Sequence, residues 1–167
     1  MTTLTAAEIN ALHEALDDEH QSWAIYDQVI SDFGEVRPFI NIRDAEARHI
    51  DALSRLFVRY NLTIPDNPWI GKVERYSSVQ EACTAAVAAE IANGDLYERL
   101  FQDELRPDIL RVLGNLQEAS LERHLPAFQR CAQGTGQGAG RGRGAARGRG
   151  LGGGRGQGGG AGRGQQG

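Results

Sequence analysis

Four stretches of this chain carry apolar residues at helical spacing. Each stripe is interrupted near its middle by a glutamate or histidine, and no lysine or arginine lies on the stripe. The first stripe is Leu12, Leu16, Trp23, Tyr26 and Ile30, and Glu19 lies on it. The second is Phe39, Ile42, Ile50, Leu53 and Phe57, and it carries both Glu46 and His49. In the third, Cys83, Ala86, Val87, Gly94, Tyr97 and Phe101 share an axis with Glu90. In the fourth, Leu113, Gln117, Ser120, Leu121, Phe128 and Cys131 surround His124. An unpaired buried carboxylate costs several kcal/mol even after relaxation, so three of them converging require a compensating positive charge. Divalent cations supply that charge and use the imidazoles as well.

The punctuation between the stripes sets the fold class. Thr5-Ala-Ala-Glu8 and Ser78-Val-Gln-Glu81 read as capping boxes that open helices one and three. Helix one runs to about Asp32, where Gly34 breaks the pattern, and helix two runs from near Pro38 to about Tyr60. Helix three ends near Asp103. Pro107 suits the first turn of a fourth helix continuing to about Ala132. Connections one–two and three–four are short, whereas NLTIPDNPWIGKVERY is too rich in proline to be helical and long enough to traverse the molecule. Two hairpins joined by one long crossover predict an all-α, ferritin-like four-helix bundle over residues 1–132.

Beyond that domain the composition collapses to Gly, Arg, Gln and Ala, and residues 133–167 are expected to be a disordered tail. All 22 acidic residues and 12 of the 18 basic ones lie in residues 1–132, so an acidic body is joined to a basic tail. The tail's six arginines, Arg141, Arg143, Arg147, Arg149, Arg155 and Arg163, are candidates for contacting nucleic acid. The tail has no aromatic residue for base stacking; contact with the acidic body or a solubilising role fits it equally.

The chain is long enough for one sizeable core. No apolar run approaches a membrane span, and MTTLTAAEIN lacks the basic and apolar regions of a secretory signal. Cys83 and Cys131 belong to no CxxC pair; they read as buried thiols of a reducing compartment, with a disulfide left open, and a cytoplasmic location is expected.

Di-iron and di-manganese carboxylate bundles take single glutamates from two helices and Glu-x-x-His from each of the other two. Glu19 and Glu90 supply the singles and Glu46-Ala-Arg-His49 one pair, but the position three before His124 is Leu121. Glu118 and Glu122 sit about 120° and 160° from His124 on a regular helix, and Glu122 would need a π-bulge to reach inward. The metal candidates are therefore Glu19, Glu46, His49, Glu90 and His124, with second-metal occupancy in question. Tyr26 and Tyr97 are core positions able to hydrogen-bond at the centre. His20 points about 100° from Glu19, toward a surface or outer-sphere role, and His13 is assigned to the surface.

The blocks DDEHQSWAIYDQVISDFG, FINIRDAEARHIDALSRLFVRYNL, AAEIANGDLYERL and ERHLPAF resemble an uncharacterised family of short prokaryotic ferritin-like domains. The resemblance covers roughly Leu4 to Cys131, and its most specific block runs from Phe39 to Leu53. It implies a carboxylate–histidine metal centre and supplies no reaction. The expected cofactor is two iron ions, or manganese, or a mixed pair, with O2, H2O2 or Fe2+ as substrates, in iron handling or oxidative-stress defence. Without CxxC pairs, turnover electrons would come from incoming Fe2+ or an external reductase. The competing reading is a non-enzymatic helical adaptor with a structural metal, acting through its Arg-Gly tail on nucleic acid or an acidic partner. Homo-oligomers are left open by the sequence.

Overall fold

The computed structural model describes residues 3–135, which are helical and, among the described residues, contain no strand. Residues 136–167 of the expected tail, with its six arginines, lie outside the described residues. Helices α1 (Ala6–Phe33), α2 (Phe39–Arg59) and α3 (Val79–Leu100) are continuous. The fourth rod consists of α4 (Pro107–Ala119), a π-turn (Ser120–His124) and α5 (Leu125–Ala132). Helix α3 stops three residues earlier than expected, because Gln102 and Asp103 turn back onto the carbonyls of Arg99 and Leu100.

The termini form as their sequences dictate. Thr5 Oγ1 accepts from the Glu8 amide at 3.1 Å, and Glu8 Oε2 accepts from the Thr5 amide at 2.8 Å, so both halves of the first capping box are present. Ser78 Oγ accepts from the Glu81 amide at 3.1 Å. Gly34 ends α1 with φ of 85°, a left-handed conformation that a side chain would strain.

The core is divided into two apolar halves. One contains Leu12, Leu16, Leu53, Phe57, Tyr97, Leu100, Ile109 and Leu113, and the other Tyr26, Val29, Phe39, Ile42, Cys83, Ala86, Phe128 and Cys131. Following the chain through them gives the directions of the rods. Helix α1 runs from the first half to the second, α2 and α3 both run back, and α4–α5 runs forward again. The segment between α2 and α3 must therefore return along the molecule, and it does so on α1. Trp69 Nε1 donates to Asp17 at 3.0 Å, Asn67 donates to the His20 carbonyl at 2.9 Å, and Arg75 pairs with Asp32. These three anchors span 15 residues of helix, about 22 Å.

The fourth rod departs from the expected unbroken helix. Pro126 has no amide hydrogen, and its ring would collide with the Glu122 carbonyl in a regular α-helix. The backbone widens just upstream, where the Leu125 amide bonds the Ser120 carbonyl five residues back. Leu121 is thereby turned onto α3 at Gly94, where an added Cβ would lie 2.8 Å from Leu121 Cδ2.

The cysteines also differ from the expectation of free thiols. Cys83 of α3 and Cys131 of α5 are fully buried and form a disulfide with Cα atoms 5.9 Å apart. This removes the ground on which a reducing compartment was expected. Among the described residues no helix is long and apolar enough to cross a membrane.

The disulfide closes a loop of 48 residues, and constraining the unfolded chain to that extent stabilises by about 4 kcal/mol. Reduction, or Cys131→Ser, is expected to lower the unfolding free energy by about that amount in urea titrations with and without dithiothreitol. An unchanged midpoint would show that the bridge contributes nothing.

Candidate metal centre

Between the two apolar halves lies a polar layer to which every rod contributes. Glu19 of α1, Glu46 of α2 and Glu90 of α3 are each 2–3 % exposed, and His124 of the π-turn is 4 % exposed. His49, one turn after Glu46, has 14 % of its side chain accessible. The five residues singled out by stripe position therefore meet. They form two groups whose ligand atoms lie within 4.8 Å of one another: Glu19, Glu46 and His49, and Glu46, Glu90 and His124.

Glu46 belongs to both groups, one carboxylate oxygen facing each. Its Oε2 lies 2.7 Å from His49 Nδ1, and its Oε1 lies 3.2 Å from His124 Nδ1. Glu19 Oε2 is 3.1 Å from His49 Nδ1, and Glu90 Oε1 is 3.5 Å from His124 Nδ1. The imidazoles stack with centroids 5.5 Å apart, Nδ1 edges toward the carboxylates. His124 Nδ1 is buried yet makes no hydrogen bond, despite the two carboxylate oxygens nearby. An orphaned buried nitrogen aimed among carboxylate oxygens is the arrangement a cation satisfies.

The surrounding hydroxyls orient the outer carboxylates, one on Glu19 and two on Glu90. Tyr97 donates to Glu19 Oε1 at 2.6 Å and Tyr26 donates to Glu90 Oε1 at 2.7 Å, both tyrosines being fully buried. Ser120 donates to Glu90 Oε2. Because the π-turn is wide, the residue one turn before His124 is Ser120 and not Leu121. A hydroxyl thus stands where the Glu-x-x-His pattern has a carboxylate. The π-turn that Glu122 would have needed does exist, but Glu122 remains exposed and outside both groups.

One histidine departs from expectation and one does not. His20 is buried, not at the surface, and lies outside both groups; burial lowers its pKa. His13 is exposed, its ring edge-on to Phe57 at 5.0 Å. Sequence reading also passed over Asp18, hydrogen-bonded by the buried Asn93 and pushed up to about 6, first by burial and then by the Glu19 and Glu90 charges. It missed Glu8 as well, which is 3 % exposed and held by the Arg106 guanidinium at 2.7 and 2.9 Å. That pairing, more than the opposing effect of burial, draws Glu8 down to about 2. Glu8 shows how this chain compensates a buried carboxylate with its own residues. Among the described residues the central three receive no such arginine.

Protons on the imidazoles supply positive charge beside these carboxylates. Burial would lower both imidazoles, but the neighbouring carboxylates outweigh it and raise His49 to about 10 and His124 to about 9. Burial, reinforced by the Glu46 charge, pushes Glu19 up to about 7, whereas burial of Glu46 is outweighed by its imidazole contacts and it stays below the usual range.

No family model matches the chain, and no curated protein matches it. Among solved structures it is similar to a hypothetical protein from Methanococcus jannaschii DSM 2661. The likeness has a TM-score of 0.71 at 21 % identity and covers 82 % of this chain and 86 % of that one, which shows a shared fold.

The raised groups fix how the metal-free protein responds to alkali. Stability contributed by protonated His49 and His124 is complete below the unfolded imidazole value of about 6.5 and is lost as pH rises through 9 to 10. Glu19 acts in the same direction between about 4.5 and 7. The melting temperature in EDTA is expected to fall from pH 6 to pH 10, and less so in His49→Gln. A flat profile would contradict this charge arrangement.

Proposed function

We propose that the chain is a ferritin-like four-helix bundle holding a dinuclear non-haem centre, iron or manganese, that reacts with O2 or peroxide. The observation that carries this reading is Glu46, a single buried carboxylate shared by two three-residue ligand groups and, among the described residues, without any basic partner but imidazole. Glu19 and His49 would complete one coordination sphere, and Glu90 and His124 the other, with Glu46 between. The donor set of carboxylate oxygens and imidazole nitrogens, without thiolate, suits iron and manganese. Return of the crossover along α1 and the rod directions support the ferritin-like assignment.

A bound, reduced pair would supply the electrons that reduce O2 or H2O2. The protein's own part is positional. Tyr97 holds Glu19 by Oε1 and leaves Oε2 directed at His49, whereas Glu90 is held at both oxygens, Oε1 by Tyr26 and Oε2 by Ser120. Burial keeps the tyrosine hydroxyls protonated, far above their ordinary range, so they act as fixed donors. Ser120 stands in place of a sixth ligand, so each side has three protein residues with Glu46 counted in both.

Anaerobically reconstituted protein is expected to hold about two metal ions per chain by elemental analysis. Glu46→Ala should lose both, whereas Glu90→Ala should keep about one, with helicity checked by circular dichroism. Protein that retains neither iron nor manganese after reconstitution ends this reading.

Loading must also expel the imidazole protons. Metal titrations in buffers of different ionisation enthalpy should report about two protons released per centre at pH 7, with affinity rising as pH rises. Release near zero would mean that the raised imidazoles are not the ligands.

A further inference from the structure

A cavity of about 400 Å³ opens between α2 and the fourth rod, on the far side of the two imidazoles from the carboxylates. His49 and His124 form part of its wall, and Arg48 and Arg123 stand beside them. No aspartate or glutamate is among its lining residues; Asn41 is the remaining polar one, and the rest, including Ile42, are apolar. Both arginines are exposed. Arg48 has no ion-pair partner among the described residues, and Arg123 has only Glu118 at 3.9 Å, a distance at which an exposed pair contributes little.

The imidazoles supply a second, independent observation. A histidine that binds a metal through one ring nitrogen almost always donates its other N–H to a carboxylate, a carbonyl or water. Here the Nδ1 edges face Glu19, Glu46 and Glu90, while neither Nε2 has a hydrogen-bond partner among the described residues. Two N–H donors and two guanidinium groups therefore line one basic, partly apolar cavity in a body that is otherwise acidic. Such an opening repels an entering Fe2+ and attracts an anion.

We infer that this cavity binds a small organic carboxylate, whose oxygens accept from the Nε2–H groups of His49 and His124 and from Arg48 and Arg123. Its short aliphatic part would lie on Ile42 and its apolar neighbours, which an inorganic oxyanion cannot use. Bound there, the anion replaces the outer-sphere carboxylate that the chain omits and raises the basicity of both ligands. The inference rests on the metal-pair reading for the direction in which the rings face, because Nδ1 coordination leaves the proton on Nε2.

Calorimetric titration of the full-length protein with butyrate tests it, at ionic strength held constant with chloride, before and after iron loading, with metal content measured on the same samples. Butyrate should bind in both states and shift the imidazole nitrogen resonances of the metal-free protein. Arg48→Ala/Arg123→Ala should weaken it by about tenfold or more, since two charged donors are removed. Arg55→Ala, an exposed arginine paired with Asp51 away from the cavity, should leave binding unchanged. Equal affinity in the parent and the double variant overturns the proposal, and inorganic phosphate binding as tightly as butyrate overturns the organic carboxylate. Protein that holds its metal but does not bind butyrate sinks this inference alone. Butyrate binding to protein that never retains metal keeps the cavity site and sinks the dinuclear reading.

Discussion

Repulsion among Glu19, Glu46 and Glu90 is the constraint around which this molecule is arranged. Three carboxylates withdrawn from water and brought to one level of the core cannot remain ionised without positive charge close by. The chain answers the same problem at Glu8 with Arg106, through side-chain and backbone donors. At the centre the described residues offer two imidazoles, whose affinity for protons the carboxylates raise. A proton on each imidazole is a replaceable counter-charge, whereas a guanidinium is permanent. That difference distinguishes the central cluster from the Glu8–Arg106 ion pair.

The apolar halves make the centre possible. Leucine-rich packing on one side and aromatic packing with the Cys83–Cys131 bridge on the other hold four rods in register across the polar layer. Each half anchors one tyrosine whose hydroxyl reaches the layer, Tyr97 from the first and Tyr26 from the second. The donors that steer the outer carboxylates thus belong to the hydrophobic core itself, and their positions are as fixed as the packing.

Much of this was legible from residue order. Periodicity alone located Glu19, Glu46, His49, Glu90 and His124 on inward faces, because a helix side chain's direction follows from its position along the turn. The capping boxes at Thr5 and Ser78 were equally readable, since both partners lie within one turn. The π-turn left a weaker trace. Pro126 marks where a regular helix must yield, but whether the backbone kinks, ends or widens depends on what packs around it, here Leu121 against Gly94. A regular helix therefore assigned the position before His124 to Leu121, and missed the role of Ser120.

The sequence by itself determined which side chains face inward, because that property is local to each helix. Only the tertiary structure decided that Glu46 is shared, that Arg106 reaches Glu8, that Cys83 meets Cys131, and that the imidazoles' outer edges border a basic cavity. Each of these depends on the separation of segments tens of residues apart. That separation is set by how the rods pack, a quantity no single helix encodes.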